Sequence, residues 1–158
     1  MSPFEAYQKA LLAQKRLPRY EPKIITHGFY SLQYARDVIH GRWPEAEPII
    51  IQDAYNAYYY ARDVIKARWI EAEQCIIQNA GSSYRYAIDV IKDRWLEAEE
   101  SIAKTGYSQP YIEHFFDEPV ITKEQADIIQ WTRNNLTGYF APASLLEDKV
   151  SLLDMVIE

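Results

Sequence analysis

Three stretches of this chain repeat one pattern of charged and aromatic side chains: YARDVIHGRWPEAE at 34–47, YARDVIKARWIEAE at 60–73 and YAIDVIKDRWLEAE at 86–99. Each copy holds an aspartate, an arginine, a tryptophan and two glutamates, which are residue types used in acid–base catalysis and in arginine–carboxylate pairing. An active site is a single asymmetric arrangement of groups, whereas a motif present three times builds a core or an extended surface. The pattern therefore predicts no catalytic residue and favours structural pairing of these charges.

Other reactive side chains are too scattered in the sequence to indicate a site. His27, His40 and His114 are far apart, and none has a partner at the spacing of metal ligands. Cys75 is the only cysteine, so the chain can form neither an internal disulfide nor a cysteine-rich metal site. The sequence also lacks phosphate-loop, dinucleotide-binding and nucleophile-elbow motifs. We therefore expect no metal ion and no cofactor.

The composition predicts an ordinary globular protein of the cytoplasm. The chain has 158 residues, of which 48% are apolar, and this length suffices for one domain with a sizeable core. Its formal net charge of -6 disfavours general binding to polyanions, because neutralising phosphates needs an excess of basic residues. The N-terminal segment lacks a signal-peptide core, and no run of about 18 apolar residues could cross a membrane. A single cysteine favours a reducing compartment.

The three copies begin at residues 34, 60 and 86, a step of 26 residues that indicates a repeat protein. One step earlier, RLPRYEPKII at 16–25 matches RWPEAEPIII at 42–51, which predicts a degenerate first copy. One step later, Ile112 stands where a tyrosine is expected, and the pattern stops. We expect one compact domain with three parts: a degenerate N-terminal repeat or cap at 1–33, three repeats at 34–111 and a helical C-terminal cap at 112–158.

Each repeat contains two helical patterns, named helix A and helix B. The buried stripe of helix A in the first full copy consists of Tyr34, Ala35, Val38 and Ile39. Helix A should end by Arg42, because Pro44 disfavours helical geometry at the residue before it. Helix B should begin at about Glu45, since Pro48 is tolerated only within a first turn. The sequence therefore predicts an all-α fold, a short α-solenoid of helix-pair repeats with a helical C-terminal cap.

The invariant tryptophans and arginines are predicted to hold the repeats together. A tryptophan at one position of three consecutive copies suits a wedge between repeats better than a platform for a ligand. The arginine beside it can reach either glutamate of its own copy, which for Arg42 are Glu45 and Glu47, or a carboxylate of the next copy. The predicted structural residues are Trp43, Trp69, Trp95, Arg42, Arg68 and Arg94.

Positions that vary between the copies are the candidates for binding a partner. The tyrosine that begins each copy belongs to the packed stripe, which leaves Tyr30, Tyr55 and Tyr59 for a contact surface, with inter-repeat packing as their alternative role. Tyrosine and arginine are enriched in protein interfaces. The predicted partner-binding residues are Tyr30, Arg36, Tyr55, Tyr59, Arg62, Lys66, Arg85 and Lys92.

The same surface allows a second hypothesis, in which it binds nucleic acid or a nucleotide. His40, Lys66 and Lys92 share one position of the repeat, and with the nearby arginines they could form a basic stripe whose tyrosines stack on bases. The aspartate of each copy lies beside these positions and offsets the positive charge. The sequence therefore favours protein binding over nucleic-acid binding.

The last third of the chain departs from the repeat. Residues 108–120 predict an irregular connection whose aromatic side chains cover the end of the stack. Capping boxes at Thr122 and Ser144 predict two further helices. The second helix carries a narrow apolar seam over 146–157, which either caps the repeats or contacts another copy of the chain in a homodimer.

The pattern YAxDVIxxRWxEAE, in steps of about 26 residues, resembles repeats in proteins of large tailed bacteriophages and some giant viruses. The resemblance covers 34–103 well and 8–33 weakly, and it leaves 112–158 outside. It implies a helical-repeat fold and a viral origin, and it brings no catalytic residues. A small acidic repeat protein of a phage is expected to be non-enzymatic and to bind and modulate a host protein in the bacterial cytoplasm, defence and toxin proteins included.

Overall fold

A computed structural model of the protein describes residues 1–116, and every regular element in that part of the chain is helical. The fold is therefore all-α as predicted. The chain divides into two compact units, the first formed by Met1–Lys92 and the second beginning at Asp93. The α-helices of the first unit are α1 (Pro3–Ala13), α2 (Glu21–Ile24), α3 (Gly28–Tyr34), α4 (Glu47–Ile50), α5 (Ala54–Tyr60), α6 (Ile70–Ile76) and α7 (Ala80–Tyr86). The second unit contains α8 (Leu96–Ala103) and α9 (Ser108–Phe115).

Helix A of each full copy begins earlier than its apolar stripe suggests and ends in a wider turn. The α-helices α3, α5 and α7 continue into π-helical turns at Ala35–Ile39, Ala61–Ile65 and Ala87–Ile91. The N-terminus of α5 is capped by the Asp53 side chain, which accepts the backbone N–H of Asn56. At its other end, the backbone N–H of Lys66 closes the π turn on the carbonyl of Ala61 at 2.7 Å. The predicted stripe of Tyr34, Ala35, Val38 and Ile39 lies at the C-terminal end of this helix, and it did not indicate the change of pitch.

Helix B has a different form in the first full copy. There, a 3-10 turn at Pro44–Ala46 leads into α4, whereas α6 and α8 are single α-helices. The start predicted at about Glu45 is close to the observed start. Pro44 and Pro48 lie in the first turns of these two segments, where a missing backbone N–H costs no intrahelical hydrogen bond.

In the first unit, each copy is joined to the one before it by a buried tyrosine. The hydroxyl of Tyr60 accepts the backbone N–H of Trp43 at 2.6 Å and donates to the carboxylate of Glu47 at 3.1 Å. Arg42 binds the same carboxylate through Nε and Nη2, both at 2.8 Å. Tyr60 is completely buried and Trp43 is 2% exposed. We call this set of four residues a tyrosine joint.

The tyrosine joint recurs along the first unit, where α3 packs against α1 and α5, and α5 packs against α7. The equivalent residues are Arg16, Leu17, Glu21 and Tyr34 at the N-terminal end, and Arg68, Trp69, Glu73 and Tyr86 further along. Leu17 stands at the tryptophan position, and the degenerate copy keeps its joint because only the backbone N–H of that residue is required. Among the alternatives left open for Arg42, the structure selects Glu47.

The second unit contains a fourth joint, formed by a tyrosine that the repeat spacing missed. The hydroxyl of Tyr111 accepts the backbone N–H of Trp95 at 2.8 Å and donates to Glu99 at 3.3 Å, and Arg94 binds Glu99 at 2.7 Å. Tyr111 precedes the expected position, Ile112, by one residue. Since Ser108–Phe115 form α9, the irregular connection predicted over 108–120 is wrong for its described part. The helices and the homodimer seam predicted after residue 120 lie outside the described residues.

Candidate functional site

The most exposed aromatic group of α5 is a pair of tyrosines flanked by two guanidinium groups. The rings of Tyr55 and Tyr59 lie 4.3 Å apart between centroids, and the Arg62 guanidinium lies 4.4 Å from the Tyr59 ring. Arg85 Nη1 reaches the Tyr59 hydroxyl at 3.4 Å. Tyr55 is 49% exposed and Arg85 is also exposed. We call these four residues the Tyr–Arg cluster.

The two tyrosines of the cluster are electrostatically different. A hydrogen bond from Tyr55 lowers the pKa of Tyr59, and the positive charges of Arg85 and Arg62 lower it further. The same hydrogen bond raises the pKa of Tyr55. The Tyr59 oxygen accepts from Arg85, and the two arginines hold it in a positive environment.

A ladder of alternating arginines and aspartates runs beneath the cluster. Arg36 binds Asp37 at 2.7 Å, and its Nη1 lies 3.8 Å from Asp63 in the next copy. Arg62 repeats this arrangement with Asp63 at 2.6 Å and Asp89 at 3.9 Å. The hydrogen bond to Asp63 raises the pKa of Arg62, so this guanidinium stays charged. The ladder ends there because Ile88 replaces the arginine in the third copy.

Two tyrosine hydroxyls complete the ladder, and the sequence had not indicated either of them. Tyr7 donates to Asp37 at 2.9 Å, and the buried Tyr58 donates to Asp89. Burial, together with the bond to Asp37, raises the pKa of Tyr7 to about 12. For Asp37, burial acts to raise the pKa, but the bonds from Arg36 and Tyr7 outweigh it and the pKa lies below its ordinary value. The repeat pattern does not include Tyr58, because the equivalent residue in the first full copy is Leu32.

The basic residues predicted for binding stand at the end of each π turn in an uncommon backbone conformation. Gln14, His40, Lys66 and Lys92 have φ values of 47°, 57°, 58° and 60°. They are spaced by the repeat length of 26 residues, and all four are exposed. We call them the positive-φ column. A left-handed residue other than glycine costs about 1 kcal/mol or more, and such residues cluster at functional sites.

The structure places seven of the eight predicted partner-binding residues in the Tyr–Arg cluster, the ladder and the positive-φ column, and the eighth, Tyr30, in another aromatic group that meets the ladder through Tyr7. Arg62 links the Tyr–Arg cluster to the ladder that contains Arg36, and Lys66 and Lys92 end the π turns of the same two copies. Tyr30 instead packs into a half-buried aromatic group near the N-terminus, where its ring contacts those of Phe4, Tyr7, His27 and Phe29.

Other kinds of site find no support in residues 1–116. This part of the chain holds no group of three or more histidine, cysteine, aspartate or glutamate side chains placed to bind a metal ion. Burial raises the pKa of the Cys75 thiol, which disfavours the nucleophilic thiolate. None of the helices described has both the length and the apolar character needed to cross a membrane.

Comparisons of the chain with models of known protein families, with curated proteins and with solved structures find no match. The features of residues 1–116 that bear on function are therefore the Tyr–Arg cluster, the ladder and the positive-φ column.

Proposed function

We propose that the repeats form a short α-solenoid that acts as a non-enzymatic protein-binding module, with the Tyr–Arg cluster at the centre of its contact surface. The observation that carries this proposal is the pair formed by the exposed Tyr55 and the half-buried Tyr59, held between Arg62 and Arg85. Buried tyrosines and arginines dominate the binding energy of many protein interfaces. Here their side chains are already ordered by mutual contacts, which lowers the entropy lost on binding.

The resemblance to phage repeats extends the proposal to the kind of partner. We propose a host protein in the bacterial cytoplasm, such as a defence or toxin protein, which the module inhibits or modulates. The recurrence of one joint at the same repeat spacing supports a rigid scaffold, and the variation of the exposed residues from copy to copy supports a surface adapted to one partner.

The proposal is tested by capturing partners from bacterial lysate on the tagged protein, with and without nuclease, and identifying them by mass spectrometry. We expect one protein to be retained at fixed stoichiometry after nuclease treatment and to be lost with Tyr59→Ala. Phe29→Ala is the matched control, because Phe29 is an aromatic residue 40% exposed outside the cluster. Retention that is equal for wild type and Tyr59→Ala would contradict the proposed surface.

Binding of nucleic acid or a nucleotide is the second candidate, favoured by the stacked tyrosines and the guanidinium groups beside them. The carboxylates of the ladder oppose it, because Arg36 and Arg62 are already paired with aspartates and a phosphate would have to compete for them. Absorbance at 260 nm in the captured fraction, removed by nuclease, would favour this second candidate over protein binding.

A further inference from the structure

A shallow depression lies between the second and third copies, beside the Tyr–Arg cluster. Its volume is about 250 Å³, and it is lined by Arg62, Lys66, Asp89, Val90 and Lys92. The Asp89 carboxylate already accepts the Tyr58 hydroxyl and lies 3.9 Å from Arg62. Neither lysine ammonium has an ion-pair partner among residues 1–116. The depression therefore offers two positive charges without ion-pair partners among residues 1–116, beside a carboxylate that Tyr58 and Arg62 contact.

The backbone conformation at these lysines does not itself require a lysine side chain. Glycine adopts a positive φ at the least cost and is the common residue at this place after a helix. The chain has a glycine one residue later in the first full copy, Gly41, and it does not adopt a positive φ. Lysine also suits the negative end of a helix dipole, but the neutral Gln14 takes a positive φ at the end of α1, so this backbone conformation does not need a charge.

We infer that Lys66 and Lys92 bind successive carboxylates of an extended acidic segment of the protein partner, an inference that rests on the proposed protein-binding function. Packed helices lie about 8–10 Å apart, and an extended chain advances about 3.3 Å per residue. One lysine per repeat therefore matches an acidic residue at every third position. Tyr55 and Tyr59 lie beside the acidic segment bound in this way and contact the apolar residues between its carboxylates.

The test uses fluorescence anisotropy with the whole protein and a labelled peptide that has glutamate at every third position in a glycine–serine background. A peptide of equal composition with its glutamates contiguous is the control for spacing, and a single-stranded oligonucleotide is the control for the class of partner. The variants are Lys66→Gly and Lys92→Gly, with Lys66→Arg to retain the charge. Melting temperatures are measured for all of them.

We expect each glycine variant to bind the spaced peptide about threefold to fivefold more weakly, the usual effect of losing one exposed charge pair. Their melting temperatures should equal or exceed that of the wild type, because glycine relieves the positive-φ strain. Lys66→Arg should bind like the wild type, and the contiguous peptide should bind more weakly than the spaced one.

The inference is overturned if the spaced peptide does not bind, if it binds the glycine variants as tightly as the wild type, or if the oligonucleotide binds more tightly than the peptide. Its failure is distinguishable from that of the proposed function. If Tyr59→Ala abolishes capture from lysate while the glycine variants keep peptide binding, the acidic-segment inference fails and the protein-binding function stands. If capture is insensitive to Tyr59→Ala while the glycine variants lose peptide binding, the acidic-segment inference stands and the Tyr–Arg cluster is not the centre of the contact surface.

Discussion

The tyrosine joints and the surface around the Tyr–Arg cluster are built from the same residue types, tyrosine, arginine and carboxylates, but they differ in what changes from copy to copy. Each joint of the first unit uses an arginine, a glutamate five residues later and a buried tyrosine of the following copy. The exposed surface changes from copy to copy: the residue equivalent to Tyr59 is Gln33 in the preceding copy and Arg85 in the following copy.

This difference separates structural from recognition roles within one chain. In a joint, the buried hydroxyl accepts a backbone N–H and donates to a glutamate that the arginine also binds, so removing the hydroxyl leaves both of its partners unsatisfied. On the exposed surface water can replace a lost partner, and the side chains are free to vary. The following predictions test this contrast through stability, beginning with the largest expected effect.

The largest loss of stability is expected for Trp69→Ala. The side chain is 3% exposed and packs against the ring of Tyr60 at 5.1 Å. Truncating a buried tryptophan should lower the free energy of unfolding by about 3–5 kcal/mol. Urea denaturation measures this, with Ile70→Ala as the control, since Ile70 is 70% exposed. A loss no greater than that of the control would remove the structural role of the tryptophan.

The tyrosine hydroxyl of a joint should contribute more to the free energy of unfolding than a tyrosine hydroxyl of the Tyr–Arg cluster. Tyr60→Phe removes one oxygen and leaves the Trp43 backbone N–H without its acceptor, at an expected cost of about 1–3 kcal/mol in unfolding free energy. Tyr55→Phe makes the same chemical change at an exposed ring and should stay within about 0.5 kcal/mol of the wild type. Equal effects of the two substitutions on the urea midpoint would contradict the contrast drawn above.

The joints also predict loss of stability at alkaline pH. Burial raises the pKa of Tyr60 and Tyr86 above the unfolded value of about 10. Below that pH these tyrosines are neutral in both the folded and the unfolded state, and the joints contribute fully to the unfolding free energy. Above it the unfolded chain ionises first, so each joint should lower the unfolding free energy by about 1.4 kcal/mol per pH unit. Urea titrations across this range should give a shallower slope for Tyr60→Phe than for the wild type.

The smallest loss of stability is expected when the exposed arginine of a joint is replaced. Arg68 binds Glu73 through two nitrogens but is itself 45% exposed, and ion pairs of this kind contribute about 0–1 kcal/mol. Arg68→Gln should therefore lower the urea midpoint less than Tyr86→Phe, which removes the buried hydroxyl of the same joint. A larger effect of the arginine would mean that the ion pair, and not the hydroxyl, holds the two copies together.

Several features of the fold followed from the sequence for physical reasons that operate locally. The helical period placed Tyr34, Tyr60 and Tyr86 on the packed stripe, and all three are completely buried. Prolines predicted the approximate start of helix B in the first full copy, whereas the apolar spacing placed the start of helix A too late. The π turns could not be predicted from the sequence, because their residues, ARDVI and AIDVI, also fit an ordinary α-helix. Tyr111 was missed because one residue fewer separates it from the preceding joint, so an exact spacing points to Ile112 instead.

The sequence by itself determined the repeat length, which identical residues 26 positions apart show directly. It also determined the helical character and the apolar stripe of residues 1–116, since these depend on neighbours within one turn of a helix. Only the tertiary structure decided which partner each polar group takes. Tyr58 donates to Asp89, and Arg62 connects the tyrosine pair of its own copy to a carboxylate of the next. Such choices depend on distances between side chains of different copies, which the order of residues along one copy does not contain.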